Sequence, residues 1–304
     1  MARRKTKLIV ALLFALIFGS IGASRSDAQK GTAADALDQR IRAEISGFKG
    51  RVSLFAENID TGKSYGFGAD DRVRTASTIK VPIMVEVFAR VAEGKAKWTD
   101  ELILTEASKV SGSGILLELS DGLRLNLRDA VRLMIVVSDN TATNLLLDRI
   151  TTDAVNARMD SLGLRQTRVL RKVGGGGESR AGAISENKRF GLGVSTPREM
   201  VMLLEKLERG EVISPEASRE MIAIMKRQQY RDGIPRALRG VEVANKTGAL
   251  DRLRSDVGIV YTSRGRIALA ITCDDMPETL WSVDNPGLIL ISRLAKILVE
   301  ELGR

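Results

Sequence analysis

The sequence predicts an α+β fold, in which N-terminal and C-terminal strands form one antiparallel sheet flanked by helices, with an all-α subdomain inserted between them. Two observations predict this fold class. Pairs of strand patterns separated by turn residues occur near both ends of the chain. Between them lies a long stretch in which apolar residues recur at a spacing near that of a helix. The inserted subdomain is expected over about residues 77–225.

Residues 1–28 have the features of a secretory signal peptide. Basic residues between Arg3 and Lys7 precede an unbroken apolar run from Leu8 to Phe18, and small residues ending at Ala28 resemble a cleavage site. An uncleaved membrane anchor is the alternative, but the apolar run is shorter than the roughly 20 residues that span a bilayer. We therefore expect a secreted or periplasmic protein with no membrane attachment after cleavage, in which residues 29–304 form one domain.

The elements follow in order from local patterns. A helix is expected over residues 34–45, and two strands over residues 50–56 and 64–67 form an N-terminal hairpin. A C-terminal hairpin and a last helix follow over residues 256–262, 266–273 and 287–302, with Lys246-Thr247-Gly248 on a further strand. The helices of the middle are expected over residues 79–92, 127–136, 142–150, 152–162, 197–207 and 215–225.

The segment from Arg171 to Gly193 breaks the helical pattern. Gly174 to Gly177 are four consecutive glycines, and the residues that follow are small or polar without a clear period. A loop of this length inside a domain is usually either functional or disordered, and composition alone does not distinguish the two.

Composition excludes several classes of function. The chain has 304 residues, a formal net charge of +9, 4% aromatic residues, one cysteine and no histidine. Basic residues do not form a stripe interleaved with aromatics, so nucleic-acid binding is not supported. The lack of histidine rules out a Ser-His-Asp triad and, with a single cysteine, the usual zinc and copper sites. We expect no metal, no cofactor, no disulfide and a monomer, with Cys273 as a buried strand thiol.

Three short strings carry the candidate chemistry. Ser77-Thr78-Ile79-Lys80 is one of three S-x-x-K spacings, but only Ser77 opens an apolar helical run, which puts Lys80 on the same face. Ser138-Asp139-Asn140 and Lys246-Thr247-Gly248 each occur once, downstream in that order. Together the strings supply a nucleophilic hydroxyl, amines that can move its proton, and a cationic strand for an anionic substrate.

This ordered set resembles the motifs of class A β-lactamases and penicillin-binding proteins. The residues around the first two strings, 76–82 and 137–147, are similar to that family's nucleophile helix and second motif, and Ser195-Thr196-Pro197 resembles the segment after its omega loop. The likeness covers nearly the whole chain after the signal peptide. It implies a β-lactamase/transpeptidase-like fold and a small-molecule substrate, either a β-lactam or a peptidoglycan peptide.

The resemblance also implies a role for each matching residue. Ser77 attacks a carbonyl, Lys80 accepts its proton, and Ser138 relays a proton to the departing nitrogen. Asn140 binds Lys80 and the substrate amide, while Lys246 and Thr247 bind a substrate carboxylate. The backbone N–H groups of Ser77 and Ala249 form the oxyanion hole, Gly248 permits close approach to the strand, and Asp139 supports the structure.

The chain departs from the family at the omega-loop glutamate that activates the deacylating water. Alignment of the loop puts Val173 at that position, and residues 171–193 contain no E-x-x-x-N arrangement. Glu178 is the candidate substitute, with Glu186 as a weaker one, unless both are solvent-exposed loop carboxylates. Candidates for an arginine that assists carboxylate binding are Arg236, Arg252 and Arg254.

Three functions remain open on sequence alone. The first is a secreted serine hydrolase that hydrolyses the amide of β-lactams or related compounds through a Ser77 acyl-enzyme. The second is a penicillin-binding D-amino-acid peptidase with slow deacylation, which the absence of the loop glutamate motivates. The third is a non-catalytic wall-binding sensor, against which the intact set of motif residues argues.

Overall fold

An antiparallel sheet of five strands forms the framework of the fold in the computed structural model, which describes residues 35–303. The predicted signal peptide lies outside the described residues. The strands, in chain order, are β1 (Arg51–Asn58), β2 (Ser64–Phe67), β3 (Val73–Arg74), β4 (Glu101–Ile103), β5 (Arg124–Asn126), β6 (Arg168–Val169), β7 (Gly193–Ser195), β8 (Glu242–Leu250), β9 (Leu253–Thr262) and β10 (Gly265–Asp274).

Helices make up most of the chain between the terminal strands. In chain order they are α1 (residues 35–45), α2 (Lys80–Ala92), α3 (Leu127–Val136), α4 (Asn140–Ile150), α5 (Thr152–Ser161), α6 (Pro197–Glu208), α7 (Pro215–Met225) and α8 (Pro286–Leu302). Beginning at Glu44, the described chain forms one compact unit. None of the described helices is both long enough and apolar enough to cross a bilayer.

The predicted α+β fold class is confirmed. The main sheet has the order β2-β1-β10-β9-β8, so strands from the two ends of the chain pair directly, with Leu54 opposite Ile271. Helices α6 and α8 both pack against β1, β9 and β10. Successive residues of β10, such as Ala270 and Ile271, are buried on opposite faces, because helices cover the sheet on both sides.

Helix starts follow the capping signals in the sequence. The side chain of Thr196 accepts a hydrogen bond from Glu199 N at the start of α6, and Ser214 accepts one from Ala217 N at the start of α7. Each helix has proline in its first turn, where a missing N–H costs nothing. The predicted helix boundaries therefore agree with the structure to within a few residues.

A small sheet joins the Ser77 segment to the loop that the sequence analysis could not assign. Strands β3, β7 and β6 pair antiparallel, with Arg74 and Arg168 both opposite Val194. Thr75 N also donates to Gly193 O at 3.1 Å. These strands have two or three residues each, too few for an alternating pattern to be recognised. The sheet holds both ends of the loop beside Thr75, just before the Ser77 segment.

The glycine run in that loop forms a tight turn. All four residues from Gly174 to Gly177 have positive φ, between 58° and 117°, which other residues adopt only with strain. Lys172 N donates to Gly176 O at 2.9 Å, and Thr152 Oγ1 donates to Gly177 O at 3.0 Å, so the turn is fastened to α5. Part of the remaining loop is a 3₁₀ helix, Ser185–Phe190.

Cys273 lies on β10 and is fully buried as a free thiol. Burial raises the pKa of this thiol, which keeps it protonated and unreactive near neutral pH. The sequence analysis predicted a buried strand cysteine, and the structure agrees.

Candidate active site

Ser77 lies in a 3₁₀ helix, Ala76–Ile79, that leads directly into α2. The sequence pattern predicted a helix over residues 79–92 with Ser77 just before it, and the α-helix begins at Lys80. Ala76 has φ +46°, a conformation in which a non-glycine residue is strained. The bend produced there leaves the Ser77 side chain half-buried at the wall of a cavity.

Lys80 is completely buried and contacts Ser138 and Asn140, which line the cavity. Its Nζ lies 2.7 Å from Ser138 O, 3.2 Å from Ser138 Oγ and 2.9 Å from Asn140 Oδ1. Burial, and secondarily the positive charge of Lys246, holds the pKa of this amine well below its usual value, against the opposing charge of Asp139. A neutral Lys80 has only two N–H groups, which suit the two carbonyl oxygens and leave a lone pair free to accept a proton.

Ser138 lies between two buried lysines. Lys246 Nζ donates to Ser138 Oγ at 3.0 Å and to Thr247 O at 2.8 Å. Ser138 itself has φ +55°, so its backbone is held in a strained conformation by the surrounding contacts. Burial lowers the pKa of Lys246 to about 7, although the charge of Asp256 acts in the opposite direction. The Ser138 hydroxyl thus connects two amines that both exchange protons more easily than exposed lysines.

Asp139 and Asn140 fix the shape of this region. Asp139 Oδ2 accepts hydrogen bonds from the backbone N–H groups of Ile115 and Leu116, at 2.7 and 2.9 Å, and Oδ1 caps α4. Asn140 Nδ2 donates to Ser111 O at 2.9 Å, which orients the amide oxygen towards Lys80. Asp139 therefore has the structural surroundings that the sequence analysis expected, and Asn140 keeps one N–H available to a ligand.

Strand β8 forms the opposite wall of the cavity. It is the last strand of the main sheet, and Thr247, Gly248 and Ala249 line the cavity. A Cβ atom at Gly248 would lie 2.6 Å from Thr75 O and 3.2 Å from Ser77 N. The space that a side chain would need is therefore filled by the backbone around Ser77. This contact brings the strand and the Ser77 N–H to the same side of the cavity.

Gly248→Ala should show how much this close packing matters. The new methyl group would press on backbone atoms that cannot rotate away, so we expect a loss of stability of about 1–3 kcal/mol. We also expect slower acylation of Ser77, the nucleophile that the family resemblance implies. Gly47→Ala is the matched control, because a Cβ atom there meets nothing within 4 Å. Thermal unfolding and acylation kinetics measure the two effects. The prediction is wrong if Gly248→Ala and Gly47→Ala have the same stability and the same acylation rate.

The cavity has a volume of about 790 Å³. Besides Ser77, Ser138, Asn140 and β8, it is lined by the loop and by residues that follow β10. Asp232 is the sole carboxylate among its lining residues, whereas six lining residues are cationic: Arg74, Arg171, Lys172, Lys188, Arg189 and Arg254. Among residues 35–303, no group of three or more histidine, cysteine or carboxylate side chains is placed to hold a metal ion.

Val173 lies in the cavity wall, at the position where the sequence alignment placed the missing glutamate. Asn144 fixes its backbone through two hydrogen bonds of 3.0 Å, one to Val173 O and one from Val173 N. The candidate substitutes lie elsewhere. Glu178 and Glu186 are exposed, and neither is among the residues that line the cavity. The structure thus brings together all the predicted site residues except Glu178.

Of the three candidate arginines, only Arg254 lines the cavity. It is 3% exposed, and its guanidinium donates to the carbonyl oxygens of Leu250, Leu253 and Leu280 at 2.6–2.7 Å and lies 4.6 Å above the Trp281 ring. Burial lowers its pKa, against the opposing charge of Asp251.

Arg252 and Arg236 are engaged away from the cavity. Arg252 donates to Met276 O, and Arg236 forms an ion pair with Asp284 at 2.9 Å. Sequence reasoning did not find the cationic loop residues Arg171, Lys188 and Arg189. Their only signal was the basic character of an unassigned loop, which says nothing about the direction in which its side chains point.

Comparisons with known proteins agree with this geometry. The model of the beta-lactamase enzyme family matches residues 36–302. Beta-lactamase 3 of Bacillus cereus is 25% identical over 270 residues, which cover 84% of this chain and 78% of that protein.

Two solved structures are similar in both fold and sequence. A beta-lactamase from Sphaerobacter thermophilus is 32% identical, with a TM-score of 0.76, over 90% of this chain and 97% of that one. A variant of PBP-A, solved as an acyl-enzyme complex with penicillin G, is 26% identical with a TM-score of 0.76, over 88% and 96% of the two chains.

Proposed function

Because this chain belongs to the beta-lactamase enzyme family, we propose that it is a serine hydrolase in which Ser77 forms an acyl-enzyme with β-lactams or related amides. One observation carries the proposal. The Ser138 hydroxyl lies within 3.2 Å of Lys80 Nζ and 3.0 Å of Lys246 Nζ, at the edge of the cavity that contains Ser77. A binding protein has no need of two buried amines joined through a hydroxyl beside a nucleophile.

Acylation can proceed within this network without histidine. Neutral Lys80 accepts the Ser77 proton as Ser77 Oγ bonds to the carbonyl carbon of the substrate. The protonated Lys80 then passes a proton to Ser138, and the Ser138 hydroxyl gives its own proton to the amide nitrogen as the C–N bond breaks. The result is an ester on Ser77, a neutral leaving amine that has gained the one proton lost by Ser77, and a neutral Lys80, so that no proton is gained or lost overall.

Charge stabilisation comes from the strand side of the cavity. The N–H groups of Ser77 and Ala249 are proposed to bind the oxyanion, where each donor typically contributes about 2.7–4 kcal/mol. Lys246 and Thr247 bind a substrate carboxylate. Arg254 adds a second positive charge there, because its hydrogen bonds go to carbonyl oxygens and none of its described partners is a carboxylate.

Release of the acyl group is proposed to be slow. Val173 occupies the cavity wall where a general base would activate water, and Glu178 is exposed outside it. A positioned general base typically accelerates such a step by about 10²–10⁴-fold. This observation favours a second candidate function, a penicillin-binding D-amino-acid peptidase that acts on peptidoglycan peptides and is trapped by β-lactams. Export to the periplasm or the medium, action as a monomer and independence from any cofactor belong to the same proposal.

A chromogenic cephalosporin tests the proposal directly. We expect wild-type protein to open about one equivalent of the ring in a rapid burst, followed by slow turnover, and Ser77→Ala to show no burst. Ser185→Ala is the matched control, because it changes another S-x-x-K serine that is exposed on the loop. Absence of both burst and turnover in the wild type, or an unchanged burst in Ser77→Ala, would refute the proposal.

The two lysines predict a bell-shaped pH dependence of the second-order rate constant for acylation, which reports on the free enzyme. Acylation rises with pH as Lys80 becomes neutral, and because its pKa is lowered by burial, this rise lies at lower pH than an exposed lysine would give. It falls again above a pH of about 7, because Lys246 then loses the charge that binds the substrate carboxylate.

Lys246→Arg separates the two limbs of this profile. A guanidinium stays protonated throughout the accessible range, so we expect the decline above pH 7 to disappear in the variant while the rising limb remains. Burst kinetics between pH 5 and 9, with a carboxylate-bearing β-lactam, measure both limbs. If the decline persists in Lys246→Arg, its origin is not Lys246.

A further inference from the structure

The positive charges of the cavity are not all available to a ligand. Arg74 forms an ion pair with Asp274, and Lys172 forms one with Asp148. Arg254 lies at the strand side, where the proposed carboxylate site already uses it. Three lining cations remain, all on the loop that follows β6: Arg171, Lys188 and Arg189. We call these three residues the loop cations.

Arg171 is the most constrained of the loop cations. It is half-buried, and its guanidinium nitrogens lie 3.7 and 4.0 Å from where Cβ atoms would stand at Gly175 and Gly191. Both glycines are in turns with positive φ, so the guanidinium is held between two backbone turns of the loop. Within residues 35–303 it has no carboxylate partner. Arg171 thus lines the cavity with a guanidinium that no described carboxylate neutralises.

Lys188 and Arg189 lie on the 3₁₀ helix that forms the other arm of the loop. The Arg189 guanidinium lies 4.7 Å above the buried Phe190 ring, and Arg72 lies 4.9 Å from the same ring. Leu170 N donates to Leu192 O at 2.9 Å, which holds the two arms of the loop side by side. The loop cations are thus presented from adjacent arms to one cavity.

The carboxylates of the loop do not neutralise this charge. Glu178 and Glu186 are exposed and do not line the cavity, and Glu186 accepts a hydrogen bond from the Ser185 hydroxyl at 3.0 Å. Val173, which lines the cavity, carries no charge. The loop side of the cavity is therefore positive, in addition to the cationic strand side formed by Lys246 and Arg254.

We propose that the loop cations bind a second carboxylate of the substrate, so that preferred substrates are amides with one anionic group at the strand side and another at the loop side. This proposal rests on the proposed acylation of Ser77 and narrows its substrate class. A charge-assisted hydrogen bond from a guanidinium to a carboxylate is both strong and selective. Asp232, the sole carboxylate that lines the cavity, lies outside the loop, and no described carboxylate forms an ion pair with a loop cation. Such a cluster has the chemistry to select a dianionic ligand over a monoanionic one.

Benzylpenicillin and its α-carboxy derivative provide matched probes, because they differ by one carboxylate on the side chain. The measured quantity is the ratio of the acylation rate constants for the two compounds. We expect Arg171→Gln to lower this ratio about tenfold, as loss of one charge-assisted hydrogen bond would. Lys188→Gln, which changes an exposed residue, should also lower this ratio. In wild type the ratio should also fall with salt, since the screening length shrinks from about 10 Å at 0.1 M to about 3 Å at 1 M.

Arg180→Gln is the control, because Arg180 lies on the same loop, pairs with Asp153 at 3.6 Å and does not line the cavity. Its ratio should equal that of the wild type. Unchanged ratios in both Arg171→Gln and Lys188→Gln, with Ser77 still acylated by both penicillins, would overturn the second-carboxylate proposal alone. Failure of both penicillins to label wild-type Ser77 would instead overturn the proposed function.

Discussion

Replacing Val173 by glutamate is expected to shorten the lifetime of the Ser77 acyl-enzyme by about 10²–10⁴-fold, the usual contribution of a positioned general base. The structure favours this outcome because Val173 already lies in the cavity wall and hydrogen bonds fix its backbone. Asn144 Nδ2 donates to Val173 O, and Val173 N donates to Asn144 Oδ1, so a new side chain leaves both backbone hydrogen bonds intact. The nearby loop cations favour the ionised carboxylate, which is the form that accepts a proton from water.

Val173→Gln is the matched control for Val173→Glu, because glutamine has nearly the shape of glutamate but no basic group. Decay of the penicillin adduct, followed by mass spectrometry after the free ligand is removed, measures the rate. The prediction is contradicted if the glutamate and glutamine variants release the acyl group at the same rate. The prediction also requires that acylation of Val173→Glu differs little from that of the wild type, which the burst amplitude checks.

Replacing Lys80 by methionine is expected to slow acylation of Ser77 by about 10²–10⁴-fold. Methionine retains most of the buried volume, but it cannot accept the Ser77 proton or donate to Ser138 and Asn140. The lost amine leaves the carbonyl oxygens of these two residues without their donor, so a moderate loss of stability should accompany the kinetic effect.

A surface lysine offers the comparison for this change. Lys95 pairs with Glu93 at 2.7 Å and is 65% exposed, so Lys95→Met should leave the acylation rate unchanged. Thermal unfolding of both variants shows that they are folded, and burst kinetics give the rates. Acylation of Lys80→Met at the wild-type rate would show that another group takes the Ser77 proton.

The sequence was sufficient to predict the sheet and most helices, and the residues of its three motifs lie together in the structure. These features have local signals: alternation in the terminal hairpins, capping residues such as Thr196, and three motifs whose spacing is tied to their chemistry. The strands β3, β6 and β7 had no such signal, since two or three residues cannot show a period. Their pairing, which holds the loop against the Ser77 segment, depends on contacts between residues far apart in the chain.

The direction of loop side chains was also beyond sequence reasoning. Glu178 was the candidate for the missing base because a long loop could fold it inward, yet the structure leaves it exposed. Arg171 attracted no attention, yet it lines the cavity. Both outcomes depend on the glycine turn and on the contacts of Asn144 and Thr152, which fix the path of the backbone. Motif spacing carries no information about such contacts.

The central claim is an acylation site built on Ser77, Lys80, Ser138 and Lys246 that lacks a base for efficient deacylation. Mass spectrometry of the wild-type protein after brief exposure to benzylpenicillin tests it most directly. The account predicts a mass increase equal to one whole penicillin molecule, located on the peptide that contains Ser77 and persisting after the free ligand is removed. Unmodified protein, with or without rapid consumption of the penicillin, would contradict it.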